Sequence, residues 1–123
     1  MSYKVFISST SRDIDVARDL ARRINEAGVR VFPVEETAMR GEDVAASVTR
    51  ELRDADEVIV ILTDNSINSP NVLYEMGAAS GLHKRVTPLV VNVRDSEIPP
   101  FVKKYVRFAE LPDYIAELAK RAA

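Results

Sequence analysis

The run Glu57-Val58-Ile59-Val60-Ile61-Leu62 constrains the fold of this chain more than any other stretch. It is apolar without a polar face, so it reads as a strand buried on both sides. Such a strand belongs inside a sheet covered by helices, and the segments around it supply the rest. Tyr3-Lys4-Val5-Phe6-Ile7 is a first strand running into the polar turn Ser8-Ser9-Thr10-Ser11. Val29-Arg30-Val31-Phe32-Pro33-Val34 is a second, and Pro33 confines it to an edge or to the strand's last residues. Val86 to Val91 and Val106 to Phe108 complete the set. Helical spacing appears between them. Ile14, Ala17, Ala21 and Ile24 form one face of a helix that starts at Asp13 and stops at Gly28, with Asp15, Arg18, Asp19, Arg22 and Arg23 on the solvated side. Asp43 caps a helix with core residues Val44, Val48, Leu52 and Ala55, and Ile115, Leu118, Ala119 and Ala122 mark a closing helix. Strands alternating with helices predict an α/β fold: an open, parallel, five-stranded sheet with helices on both faces.

In such sheets ligands bind beyond the carboxyl ends of the strands, beside the first strand. Three segments converge there: Ser8 to Arg12, Glu35 to Gly41 and Thr63 to Glu75. The Glu35 to Glu42 loop is longer than the usual ~2–6 residues of a βα connection, and long loops at strand ends carry function. The third segment leads into a helix in which Ser69 caps the first amides, Pro70 suits the first position, and Val72, Met76 and Ala79 share a face. The Cβ of Glu75 falls between Ala78, Ala79 and Leu82, on the border of that apolar stripe. Two readings follow. Glu75 bends out to solvent or pairs with an arginine, or it faces the cleft as a partly desolvated carboxylate. The small residues Gly77, Ala78, Ala79, Ser80 and Gly81 let this helix lie close against another backbone.

A length of 123 residues with 46% hydrophobic and 29% charged side chains predicts a single domain over 1–123. The formal charge of -2, from 17 basic and 19 acidic residues well mixed, gives no basis for nucleic-acid binding or adhesion to an anionic membrane. There is no cysteine and one histidine, His83, which excludes disulfides, zinc clusters and cysteine nucleophiles. The start Met-Ser-Tyr-Lys has no signal-peptide core and no apolar run approaches ~20 residues, so a cytoplasmic location is expected. The glycine patterns of dinucleotide and phosphate loops and the Gly-x-Ser-x-Gly elbow are absent. A phosphorelay receiver needs an acidic pair after the first strand, where this chain has Ser8-Ser9-Thr10, although Asp64 sits near the end of the third.

Val5-Phe6-Ile7-Ser8-Ser9-Thr10 before the Asp13 helix, Arg40-Gly41-Glu42-Asp43, Val58 to Thr63, Ser69-Pro70-Asn71-Val72-Leu73-Tyr74-Glu75 and Glu97-Ile98-Pro99-Pro100 together resemble a bacterial or archaeal Toll/interleukin-1 receptor (TIR) domain. The resemblance spans nearly the whole chain. It implies a flavodoxin-like sheet and cleavage of NAD⁺ at the nicotinamide–ribose bond, by hydrolysis or by cyclisation, in signalling or defence. It maps Ser69 and Glu75 onto the family's Ser-x-Trp-x-x-x-Glu pattern, with Glu75 as the catalytic residue and Asn71 where tryptophan is usual. It also implies self-association, NAD⁺ as substrate, and neither a cofactor nor a metal. The run from Pro70 to Ala79 is similar as well to nucleoside deoxyribosyltransferases, which break the same class of C–N bond.

This chemistry needs little machinery. Nicotinamide leaves as a neutral base, so an ionised carboxylate that stabilises an oxocarbenium-like ribose suffices, and no general acid is required. Ser8, Ser9 and Thr10 suit ribose or phosphate through hydroxyls and free amides, or are plain turn and capping residues. Arg40 reaches a phosphate or is a surface arginine, and Asn71 contacts the nucleotide or satisfies the helix start. A non-enzymatic interaction module, docking through Glu35 to Asp43, is the reading from a different class.

Overall fold

The computed structural model describes residues 3–34 and 51–123. Its strands are β1 (Lys4–Ser8), β2 (Arg30–Val31), β3 (Glu57–Leu62), β4 (Arg85–Val90) and β5 (Val106–Arg107). Its helices are α1 (Ile14–Glu26), α2 (Pro70–Gly81) and α3 (Leu111–Ala122), and residues 51–54 are also helical. All four pairings are parallel and the order is β2-β1-β3-β4-β5. The chain steps outward from β1 to β2, then returns to β3 on the other side of β1. That reversal is the switch point of a flavodoxin-like sheet.

Alternation along the strands divides the core into two layers. Phe6, Val58, Val60 and Leu62 face Leu52, Ala55, Val72, Met76 and Ala79. Val5, Ile7, Ile59, Ile61 and Leu89 face Ala17, Leu20, Ile24, Leu111 and Leu118 of α1 and α3. Every residue of β3 is buried, the five apolar ones as the sequence predicts and Glu57 with them. Leu20, outside the expected stripe of α1, is buried while Ala21 is only half covered.

The prolines mark where pairing ends. Pro33 follows a two-residue edge strand, whose ladder closes with the Phe32 amide donating to the Val5 carbonyl at 2.9 Å. Pro88 lies within β4 opposite Val60, yet β5 joins β4 only at Leu89 and Val90, so this side of β4 is open at the proline. β2 stops three residues short of the expected Val34 while the other strand ends shift by at most one residue, and a single helical turn lies at Asp95–Glu97. The expected Glu35 to Gly41 loop and most of the Asp43 helix fall outside the described residues, although Leu52 and Ala55 are buried as expected.

At the amino edge of the sheet the first residue of β3 carries a fully buried carboxylate. Glu57 accepts hydrogen bonds from Tyr3 Oη at 2.6 Å, Thr87 Oγ1 at 3.2 Å, Tyr114 Oη, and Arg121 Nε and Nη2 at 3.1 and 3.0 Å. It thereby ties β4, α3 and the residue just before β1 to the central strand. Burial, then the hydrogen bond to Glu57, pushes the Tyr3 phenol from 10.0 up to about 12. Burial and the Glu57 charge push Tyr114 higher still. The folded protein therefore keeps phenolic protons that the unfolded chain releases near pH 10. This contribution to stability is complete below the unfolded value and is lost as pH rises through about 12. An alkaline titration of phenolate absorbance is expected to show two of the four tyrosines ionising late, together with unfolding; Tyr114→Phe removes one late step.

Candidate active site

Ser8 ends β1 beside Val60 of β3, at the switch point. By alternation it faces the same side as Phe6, toward the layer that contains α2. It is fully buried, and its Oγ makes no hydrogen bond among the described residues. Ser9 and Thr10 follow half-buried, with Thr10 extended before the single turn Ser11–Asp13.

Thr10 Oγ1 donates to Asp13 Oδ2 at 3.1 Å. Asp13 stands at the cap position of α1, but its side chain makes no capping bond and reaches across to the β3–α2 connection. There Thr63 Oγ1 donates to Oδ2 at 2.7 Å and Asn65 Nδ2 to Oδ1 at 2.9 Å. Ser66 tightens the same connection, its Oγ accepting from the Thr63 amide at 2.8 Å and donating to the Ile61 carbonyl at 2.7 Å. By sequence Asp13 is a helix start. Its signal for more was an acidic residue shortly after a Ser-Ser-Thr strand end, with a hydroxyl-rich loop after β3.

The connection delivers the chain into α2 as its sequence predicts. Ser69 caps the Val72 amide at 3.5 Å and Pro70 takes the first position. Val72, Met76 and Ala79 are buried, and so is Glu75, at 6% exposure. The carboxylate does not bend out to solvent. It is engaged within the protein, and its Oε2 is sealed from solvent without a hydrogen bond from the described residues. A carboxylate at this depth is held in a medium where its charge acts strongly on whatever lies beside it.

Asn71 is the second residue of α2, one turn before Glu75, so the two positions share a side of the helix. Arg40 lies outside the described residues. Ser8, Ser9, Thr10 and the α2 start thus meet at one edge of the sheet. His83 does not join them: it is exposed, adopts φ 58°, and closes the far end of α2 with its amide on the Ser80 carbonyl at 3.0 Å. Among the described residues no three acidic or histidine side chains gather as a metal site. Their helices include none long and apolar enough to cross a membrane.

A comparison with curated proteins returned no match. Solved structures do match across nearly the whole chain. The TIR domain of the Toll-related receptor TRR-2 from Hydra magnipapillata superposes with a TM-score of 0.76 at 18% identity, covering 98% of both chains. The CMP N-glycosidase BcmB from Clostridium botulinum gives 0.67 at 16% identity over 94% of this chain and 97% of that one. A 2-desoxiribosyltransferase from Leishmania mexicana gives 0.69 at 12% identity with the same coverage. At these identities the likeness is one of fold. The sequence pattern of the TIR domain matches residues 5–121, so the chain belongs to the TIR domain family.

Proposed function

We propose that this TIR domain cleaves NAD⁺ at the nicotinamide–ribose bond, with Glu75 as the catalytic carboxylate. The observation that carries the reading is the burial of Glu75 on α2, in the sheet layer that Ser8 also faces at the switch point. As the C1′–N bond breaks, its electron pair stays with the pyridine nitrogen and nicotinamide leaves neutral. Positive charge grows on the ribose, and a fixed carboxylate stabilises it without having to reorganise. Water then adds at C1′ and releases a proton, giving ADP-ribose, or a nitrogen of the adenine adds and gives a cyclic product. The half-buried Ser9 hydroxyl and the amides of the β1–α1 turn suit ribose or phosphate oxygens, and Arg40 and Asn71 complete the nucleotide contacts. Signalling or defence in the cytoplasm, through self-association of TIR domains, is the context that fits.

A second reading shares the bond type. The CMP N-glycosidase and the desoxiribosyltransferase have this fold and, by their names, act on nucleosidic C–N bonds, which favours a nucleotide or deoxynucleoside as the alternative substrate. A structure with bound ADP-ribose tests the geometry. The expected result is a Glu75 carboxylate oxygen about 3–3.5 Å from C1′ of the ribose that carried nicotinamide. A nucleotide bound away from Glu75, at the amino edge of the sheet, would overturn the assignment.

A further inference from the structure

We propose that Asp13 is a positioning residue for the Glu75 site, acting through Thr63 and the connection that fixes where α2 begins. The proposal rests on the reading of Glu75 given above. One carboxylate, only 5% exposed, collects hydroxyl and amide donors from two loops: Thr10 on the β1–α1 side, Thr63 and Asn65 on the β3–α2 side. Bonds to an ionised acceptor out of water are stronger and more directional than neutral ones. An ordinary cap would turn this side chain onto its own helix, whereas Asp13 spends it on residues 50 and 52 positions away.

From Thr63 the bonds continue without a gap to the helix. The Ser66 and Ile67 amides donate to the Thr63 carbonyl at 3.1 and 2.9 Å, the Ser69 amide to the Ser66 carbonyl at 2.9 Å, and the Leu73 amide to the Ser69 carbonyl at 3.0 Å. Glu75 lies six residues beyond Ser69, about 9 Å along a rigid helix, so the start of α2 sets the place of its carboxylate. The Asp13 lock therefore couples the turn after β1, which faces the nucleotide, to the helix that bears the catalytic group. A displacement of about an ångström at a reacting carboxylate suffices for a large loss of rate.

The test uses Thr63→Val, which removes one donor while keeping the shape, Thr63→Ser, which keeps the hydroxyl, and Asp13→Asn. The lock predicts that Thr63→Val and Asp13→Asn lower kcat for nicotinamide release about tenfold per folded molecule, with KM within about twofold. Thr63→Ser restores the wild-type rate, and amide exchange in Thr63→Val speeds up over residues 63–69 without spreading to β1 or β3. If Glu75→Gln abolishes turnover while Thr63→Val and Asp13→Asn leave kcat unchanged, the lock is overturned and the Glu75 assignment stands. If the wild type releases no nicotinamide, the Glu75 assignment falls and exchange alone decides: unchanged protection over 63–69 in Thr63→Val overturns the lock.

Discussion

Glu75→Gln is expected to lower nicotinamide release from NAD⁺ by about a thousandfold, a loss at the upper end for removal of one transition-state stabiliser. Glutamine has the size and shape of glutamate, so the packing of a side chain only 6% exposed survives and the melting temperature stays within a few degrees of wild type. What disappears is the full negative charge, whose stabilising effect grows as positive charge moves from the pyridinium ring onto the ribose. The loss therefore falls on kcat, with KM for NAD⁺ nearly unchanged. Stopped assays of released nicotinamide, beside a thermal melt, separate this from a folding defect. A fall in KM-dependent binding with kcat intact would instead make Glu75 a substrate-binding group.

Arg121→Leu is expected to have the largest effect on stability. It strips Glu57 of a two-bonded guanidinium and leaves a fully buried carboxylate with the Tyr3, Thr87 and Tyr114 hydroxyls alone. Breaking one side of a buried ion pair costs about 3–5 kcal/mol, because the remaining charge stays out of water. For a domain of this size that moves a urea midpoint by roughly 2 M. Replacing both partners, Glu57→Leu with Arg121→Leu, should recover much of the loss, since no orphaned charge remains. Glu57 lies at the amino edge of the sheet, opposite the Glu75 site. Measured below its transition, the Arg121→Leu protein should retain wild-type kcat.

The fold was legible because β3 and its neighbours obey simple rules. A strand with no polar face must be central and Ser69-Pro70 must open a helix, and both hold in the structure; Pro33, expected at an edge or in the last residues of its strand, lies just beyond the two-residue edge strand. Glu75 was legible as a position but not as a depth. Its place on the border of a helical stripe is fixed by spacing, whereas its burial depends on how α2 sits against the sheet. The least visible features were Asp13 and Glu57. Each joins residues about fifty or more apart in the chain, and local patterns offer both a simpler role, one as a helix start and the other as a strand start. Long-range polar closure has no short-range period, so nothing in the run of residues around either one announces it. The TIR resemblance fixed the family, while the distinction between NAD⁺ and other glycosidic substrates lies in loop contacts that spacing does not encode.

Incubation of the wild-type protein, at concentrations high enough to favour self-association, with NAD⁺, CMP and a deoxynucleoside plus free base tests the central claim most directly. Nicotinamide from NAD⁺, together with ADP-ribose or a cyclic isomer, is the expected result, with no comparable release of base from the other two. Absence of nicotinamide at every protein concentration, or release that Glu75→Gln leaves untouched, would contradict it.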